Sequence, residues 1–384
     1  MINKAKQIKE ECQCPTKPHY NLEVTTIQTC NMACTYCFEG DELQNKGSAV
    51  PLDILLPKID SLLSDDKFNS IFGGVCINMW GGEPSSAFKY INEILEYYKD
   101  VSNVSFFMYT NGFSYSNITK ILNNARLHNL ANRFRFQVSY DGLTHDKTRV
   151  DHKNNGTRET IYNNILKLND EYSDFNFHLK SVIVVSDLYD LVPNWRHFEE
   201  LNKINSNFRW APTLEYTDNY FINDFQLDKI RQEFLKLAKL ESNRENHILS
   251  WFSYEGRQVC SAGQNIGHIG LTGNLSMCHG VDYVSPESKD VITFGHVSDD
   301  NLAESILSMR EDHMDTSIPD HCKNCPATVC FQCPTVNVDT KYKNKEASTM
   351  SYRDLLHVPK TDLCGVYQMF GMISRAVKYK NNKK

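Results

Sequence analysis

The sequence has no apolar run approaching the roughly 18 residues that cross a bilayer as a helix, so no membrane span is expected. The stretch from Met1 to Cys14 is polar and mixed in charge, and it lacks the apolar centre of a signal peptide. A cytoplasmic protein is the expectation. Positive charge is not in excess either: the formal net charge is −6, which argues against broad nucleic-acid binding. The lysines from Lys378 to Lys384 read as a solvated tail. There is no solenoid-length internal repeat and no long low-complexity segment. A chain of 384 residues with 41% hydrophobic side chains has ample core for roughly two or three domains.

Cysteine, by contrast, is abundant. There are thirteen, and ten of them fall in two groups: Cys30, Cys34 and Cys37, then seven between Cys260 and Cys364. A reducing compartment disfavours disulfides, so clustered thiols point to metal binding.

From Tyr20 to Tyr216 strand-like and helix-like stretches alternate. The strand candidates are Leu22–Ile27, Val75–Trp80, Val104–Tyr109, Phe134–Tyr140, Phe177–Val184 and Phe208–Leu214, rich in β-branched and aromatic residues. Between them, helical periodicity marks Ile54–Leu63, Tyr90–Tyr98, Ile118–Leu127, Thr160–Asn169 and Leu191–Leu201. That pattern predicts a parallel α/β sheet. A closed eight-unit barrel takes about 31 residues per unit. The 197 residues from 20 to 216 therefore fit six units, a partial (β/α)6 TIM-like barrel; a doubly wound open sheet is the alternative. Residues 217–253 read as a helical linker. From about Tyr254 Gly, Cys and short strands dominate, with a β-hairpin of Ile266–Leu271 and Leu275–Cys278 turning at Thr272-Gly273-Asn274. Residues 254–365 form the expected second, cysteine-rich α+β domain, and residues 366–384 a closing helix and tail; residues 1–19 precede the barrel.

Cys30, Cys34 and Cys37 directly follow the first strand, so they sit at its C-terminal end, the face where barrel active sites collect. Spaced Cys-x3-Cys-x2-Cys, they let one loop wrap a cuboidal cluster with three thiolates and leave one iron without a protein ligand. A zinc site or unrelated thiols are the competing readings. The later strands end in motifs of their own: Trp80-Gly81-Gly82-Glu83-Pro84, Tyr109-Thr110-Asn111-Gly112, and Gln137 through Ser139 and Asp141-Gly142 to Arg149.

In these segments, and in the aromatic Tyr36 before the last cysteine, the chain resembles the radical S-adenosylmethionine (SAM) superfamily. The resemblance covers residues 20–216. It implies that Cys30, Cys34 and Cys37 hold a 4Fe–4S cluster whose open iron is chelated by SAM. One electron then cleaves the sulfonium, and a 5′-deoxyadenosyl radical abstracts a hydrogen atom from substrate. By the same resemblance Tyr36, Gly81, Gly82, Glu83, Asn111, Ser139 and Arg149 bind SAM. Gly81, Gly82 and Glu83 would meet its amino group, Ser139 its ribose or methionine part, and Arg149 its carboxylate.

The C-terminal thiols Cys260, Cys278, Cys322, Cys325, Cys330, Cys333 and Cys364 resemble the SPASM domain, which carries two auxiliary 4Fe–4S clusters. That resemblance implies an outer cluster on Cys322, Cys325, Cys330 and Cys364. An inner one on Cys260, Cys278 and Cys333 would keep one iron open, to be filled by substrate, His279, Cys12 or Cys14. Two departures stand. The gaps after Cys325 and Cys330 are each one residue shorter than usual, and seven thiols are one too few for two fully ligated clusters. Paired Cys-x2-Cys also suits zinc. Of the remaining thiols, Cys12 and Cys14 read as spare surface groups and Cys76 as a buried apolar residue. His279 has either a catalytic role or an outer-sphere one; Asp282 and Tyr283 are nearby groups able to relay a proton.

Enzymes of this architecture mostly modify peptides or proteins, so the expected activity is oxidative peptide maturation, such as thioether or carbon–carbon cross-linking. The alternative is an anaerobic sulfatase-maturing, formylglycine-generating enzyme. That branch usually has Asp after the cysteine equivalent to Cys278, where this chain has His279, whereas Cys260-Ser-Ala262-Gly263 looks like the cross-linking branch. Only 29 residues precede Cys30, so a leader peptide is expected to be recognised otherwise or by a separate protein. A flavodoxin- or ferredoxin-type electron donor is the other expected partner. From a different class, a non-enzymatic zinc or iron–sulfur scaffold would need no SAM pocket.

Overall fold

The computed structural model describes residues 17–37, 39, 47–214, 223–242, 244–253, 260–314, 322, 324–327, 335, 338 and 363–381. Six strands, β1 (His19–Ile27), β2 (Gly74–Gly81), β3 (Val104–Thr110), β4 (Phe134–Ser139), β5 (Asn176–Ile183) and β6 (Pro212–Leu214), run parallel and pair in chain order. The order never reverses, as it would in a doubly wound sheet. It is a singly wound partial barrel of six strands with β6 at one edge.

Helices α1 (Leu52–Ser64), α2 (Asp66–Ile71), α3 (Phe88–Tyr97), α4 (Tyr115–Leu127), α5 (Arg158–Glu171) and α6 (Val192–Ile204) fill the crossovers. Their apolar stripes, such as Leu55, Ile59 and Leu62 on α1 or Ile118, Ile121 and Leu122 on α4, are fully buried. They pack on alternate residues of the strands: Leu22 and Val24, Ile77 and Met79, Phe106 and Met108, Phe134 and Phe136, Phe177 and Leu179. Each such side chain contributes about 1.5–3 kcal/mol of burial. The opposite residues, Glu23, Asn78, Tyr109, Gln137 and Lys180 among them, face the lumen of the half-barrel, which is polar and aromatic. Period-two alternation thus separates core from lumen.

The sixth strand is shorter than its apolar run. Trp210 N donates to Ile248 O at 2.9 Å and its carbonyl accepts from Ser250 N at 2.8 Å, so the front of Phe208–Leu214 pairs with a later segment. Helix α7 (Asp224–Glu241) begins with a capping box between Asn223 and Gln226, which fixes its N-terminus.

The hairpin forms as β7 (Ile266–Ile269) and β8 (Asn274–Ser276), with Gly273 at φ +86° in its turn. Its placement is not evident from the sequence. Strand β7 pairs in parallel with β1, Asn21 opposite Ile266 and Val24 opposite Ile269, so it continues the barrel sheet beyond the first strand. Helix α8 (Pro286–Ile292) and strand β9 (Thr293–His296), paired antiparallel with β8, complete a nine-stranded sheet. Helices α9 (Leu302–Met314) and α10 (Leu363–Asn381) follow, and α10 packs on α7. Among the described residues no helix is long and apolar enough to cross a membrane.

Candidate active site

The C-terminal ends of all six parallel strands or the loops that follow them line one cavity of about 270 Å³. Around it stand Cys30, Cys34 and Cys37, Tyr36, Gly81 to Glu83, Asn111, Ser139 and Arg149. Every residue predicted for the cluster loop and the SAM pocket is therefore in one place. Residues from β5 and β6, where the sequence carried no motif, line it too: Lys180, Val182, Thr213 and Leu214.

The cysteine loop is clamped by its backbone. Ala33 N donates to Val150 O and Thr35 N to Thr148 O, both at 2.8 Å, which straps the loop to the segment bearing Arg149. Met32 is its apolar anchor, 1% exposed. On the other side Gly82 N donates to Ile27 O and Glu83 N to Thr29 O, each at 3.0 Å. Here the two glycines serve a purpose other than approach to a ligand. A Cβ on Gly81, whose φ is +131°, would lie 1.9 Å from Ile27 O, and one on Gly82 would lie 2.6 Å from Thr29 O. They let the end of β2 press against the backbone leading to Cys30.

Glu83 is buried and ties two motifs together. Its carboxylate accepts from Thr110 Oγ1 at 2.7 Å, Asn111 N at 2.7 Å and Ser85 N at 3.1 Å. Burial raises its pKa, and these donors act against that rise. Asn111 in turn donates through Nδ2 to Asn31 Oδ1 at 2.7 Å and toward Cys30 Sγ at 3.6 Å.

Asp141 is the residue that motif reading passes over. It is 1% exposed, and it accepts from Tyr36 Oη at 2.6 Å, Arg149 Nε at 2.8 Å and Val182 N at 2.7 Å. The carboxylate joins the cysteine loop, the arginine and β5 at one point. Arg149 is thereby neutralised and oriented. Beneath it His145 Nδ1 accepts from Asp141 N at 3.2 Å, and its Nε2 faces Thr157 Oγ1 at 3.1 Å.

The donor set fits a cationic cluster. Burial, with Glu83 adding to it, pushes the Cys30 thiol up to about 12. Cys34 is raised by burial as well, although Arg149 opposes the rise. Thiolates in such a place need positive charge beside them, which ligated iron supplies.

His279 stands against the wall of the same cavity. It stacks on the cavity-lining Trp80 with ring centres 3.6 Å apart. Its Nδ1 lies 2.8 Å from Glu23 Oε2, and the same oxygen accepts from His279 N at 3.1 Å. Burial alone would raise the Glu23 carboxyl; His279 and His268 outweigh it and hold its pKa low. Glu23 is a second residue that no motif discloses. Cys76, expected to be a buried apolar residue, is buried.

Of the C-terminal thiols, Cys278 is buried with its sulfur 3.3 Å from Thr335 Oγ1, while Cys260 is exposed and accepts from Ala262 N at 3.4 Å. Cys325 N donates to Cys322 O at 3.2 Å, and Cys364 sits in the first turn of α10. Cys12, Cys14, Cys330 and Cys333 lie outside the described residues, as do the side chains of Asp282 and Tyr283. Among the described residues no three His, Cys, Asp or Glu side chains converge on a single ion-sized point.

Residues 24–202 match the family described as Radical SAM superfamily. The fold is similar to that of hexahistidine-tagged anSMEcpe with bound AdoMet: TM-score 0.67, 16% identity, 95% of this chain and 96% of that one covered. Native anSMEcpe with bound AdoMet and Cp18Cys peptide aligns at TM-score 0.64 and 16% identity over 96% of this chain and 100% of that one. Streptococcus suis SuiB bound to precursor peptide SuiA aligns at TM-score 0.54 and 13% identity over 88% and 77%. No curated protein sequence matches the chain.

Proposed function

We propose, from the match of residues 24–202 to the Radical SAM superfamily, that this enzyme reductively cleaves SAM and oxidatively modifies a peptide or protein. Thioether or carbon–carbon cross-linking is the favoured outcome. One observation carries the reading: three thiols of a single loop share a cavity with Ser139 and Arg149 at the C-terminal mouth of a six-stranded half-barrel.

Cys30, Cys34 and Cys37 hold a 4Fe–4S cluster in this reading, and Tyr36, Gly81, Gly82, Glu83, Asn111, Ser139 and Arg149 surround SAM. Cluster and SAM together supply the electron that breaks the sulfonium and the radical that removes a hydrogen atom. The chain's own contribution is placement. Asp141 holds the Arg149 guanidinium toward the cavity, where a carboxylate is its natural partner. Glu83 keeps the ends of β2 and β3 in register with the cysteine loop. In this reading His279, held by Glu23 and stacked on Trp80, accepts a proton that the substrate loses.

The C-terminal cysteines Cys260, Cys278, Cys322, Cys325, Cys330, Cys333 and Cys364 are assigned to two auxiliary 4Fe–4S clusters. Those clusters would take the second electron of a net oxidation. A flavodoxin- or ferredoxin-type protein would deliver the first, and a separate protein would present the leader peptide. Support for a peptide substrate comes from the fold shared with SuiB, whose structure holds a precursor peptide.

The test is metal and sulfide content of protein purified without oxygen, beside a Cys30→Ala, Cys34→Ala, Cys37→Ala triple variant. About twelve irons in the parent and about eight in the variant are expected. Formation of 5′-deoxyadenosine from SAM under strong reduction is expected in the parent only. Zinc alone after reconstitution, with no 5′-deoxyadenosine, would leave a non-enzymatic metal scaffold. Formylglycine in a sulfatase-derived peptide would assign the sulfatase-maturing alternative.

A further inference from the structure

The cavity has a floor. On β3 Phe106 and Met108 pack against the helices, so Tyr109 faces the lumen, and on β4 Phe136 and Val138 leave Gln137 facing the same way. The parallel register sets Tyr109 directly beside Gln137. Trp80, near the end of β2, meets Tyr109 edge to face with ring centres 4.7 Å apart. All three line the cavity, whereas Asn78, Phe107 and Arg135, the next residues on that side toward the N-terminal ends of the strands, are outside its lining. Trp80, Tyr109 and Gln137 thus make one row across three strands, and the row closes the cavity from below. Ser139, assigned to SAM, stands two residues nearer the mouth, about 7 Å along β4.

This row offers hydrogen bonds that the protein itself does not use. Among the described residues neither the Tyr109 hydroxyl nor the Gln137 carboxamide has a hydrogen-bond partner, in contrast to Thr110, Asn111 and Asp141 around them. Their polar ends are not sealed off and open on the cavity. Polar groups in protein interiors are almost always paired, so a ligand is the natural partner here. The row also carries no formal charge. Burial, with Glu23 and Cys76 adding to it, holds the Tyr109 phenol well above its ordinary pKa, so it stays a donor. Gln137 offers both a donor and an acceptor. A neutral donor beside a carboxamide, next to an aromatic surface, matches a flat, uncharged group with a carbonyl and an N–H, which is a peptide bond. A charged side chain set there would lose its water and gain no counter-charge from the row.

We propose that Tyr109 and Gln137, with Trp80 beside them, form the substrate seat and grip the peptide by its backbone. The Tyr109 hydroxyl donates to a backbone carbonyl, and the Gln137 carboxamide pairs with the neighbouring amide. The residue to be modified is thereby held beneath the side chains assigned to SAM, and the seat favours an uncharged residue over a charged one. This deepens the peptide-modifying reading and rests on it. The ribose of SAM carries hydroxyls able to meet the same two groups, and the experiment separates the two sources.

The probe is N-acetylalanine N-methylamide, one residue with a peptide bond on each side, titrated by saturation-transfer NMR into cluster-loaded enzyme saturated with SAM. N-Acetylalanine methyl ester, which lacks one N–H, and N-acetylalanine, which carries a carboxylate, are the comparisons. The parent is expected to bind the diamide about fivefold more tightly than the ester, the worth of one neutral hydrogen bond. N-Acetylalanine is expected to bind more weakly than the diamide as well. Tyr109→Phe, which keeps the ring and puts folding least at risk, is expected to weaken diamide binding about three- to tenfold. Gln137→Leu is expected to erase the preference for diamide over ester, a change that looser packing does not produce. SAM binding, read by equilibrium dialysis, is expected to persist in both variants. No diamide binding by the parent, or unchanged titrations in both variants, overturns the proposal. So does loss of SAM binding in Tyr109→Phe, because the row then holds SAM itself. 5′-Deoxyadenosine formation by the parent is measured alongside. If it is absent, the radical reading fails; if it is present without diamide binding, only the seat fails.

Discussion

The Tyr36 hydroxyl donates to Asp141 at 2.6 Å, a bond that fastens the cysteine loop to the end of β4. The oxygen that receives it also accepts from Arg149 Nε, so loop and arginine share one buried carboxylate. Replacing Asp141 by Asn leaves Arg149 buried without its counter-charge. A loss of about 3–5 kcal/mol is expected, the cost of breaking a buried pair from one side. Tyr36→Phe removes one hydrogen bond to a charged group and costs about 1.5–3 kcal/mol. Urea melts of both variants check the order. SAM affinity should fall in Asp141→Asn even where the protein stays folded, because the guanidinium is no longer aimed.

Gly81→Ala places a methyl group 1.9 Å from Ile27 O at a backbone angle that suits glycine. The strand end and the cysteine loop must then separate. The expected result is a folded barrel with depleted cluster iron, read by iron analysis beside circular dichroism. Retention of full iron content would mean that the loop tolerates the shift.

Glu83→Gln keeps the shape but turns one acceptor into a donor facing Thr110, Asn111 and Ser85. About 1–3 kcal/mol of stability should be lost. SAM cleavage should fall further than stability does, because the end of β3 loses its tie to β2. Thermal melts and 5′-deoxyadenosine yield measured on the same samples test both parts.

His145 gives a pH dependence whose sign follows from burial. Its pKa is lowered from 6.5 to about 3, by burial first and by Arg149 second. A neutral buried histidine contributes full stability above the unfolded pKa and loses it as pH falls toward the folded one. Between pH 6.5 and pH 4.5 the parent should lose about 2–3 kcal/mol from this group. His145→Gln, which can still accept from Asp141 N and donate to Thr157, should flatten that slope. An unchanged slope in urea melts across this range would show that His145 is not the titrating group.

Much of the site is legible in the sequence because its determinants are local. Cys30, Cys34 and Cys37 belong to one loop, and Gly81, Glu83, Asn111 and Ser139 each end or follow a strand whose alternation is plain in a few residues. Asp141 stands inside a motif that assigns it no role, since its partners, Tyr36 and Val182, are 105 and 41 residues away. Glu23 is invisible as a partner of His279 across 256 residues. The purpose of Gly81 and Gly82 is hidden for the same cause: the atoms they avoid belong to β1 and the loop that follows it. The sixth strand is short because Trp210 finds hydrogen bonds with residues 248–250, a competition that no local pattern displays.

The sequence by itself determined the run of strands and helices, the face of each that is apolar, and the loop that gathers three thiols. Those follow from side-chain period and spacing, which act over a few residues. Only the tertiary structure decided that β7 joins the barrel beside β1, that Glu23 meets His279, and that one carboxylate serves both Tyr36 and Arg149. Those are matters of which strands pair and in what register, and register is settled by burial summed over the whole sheet.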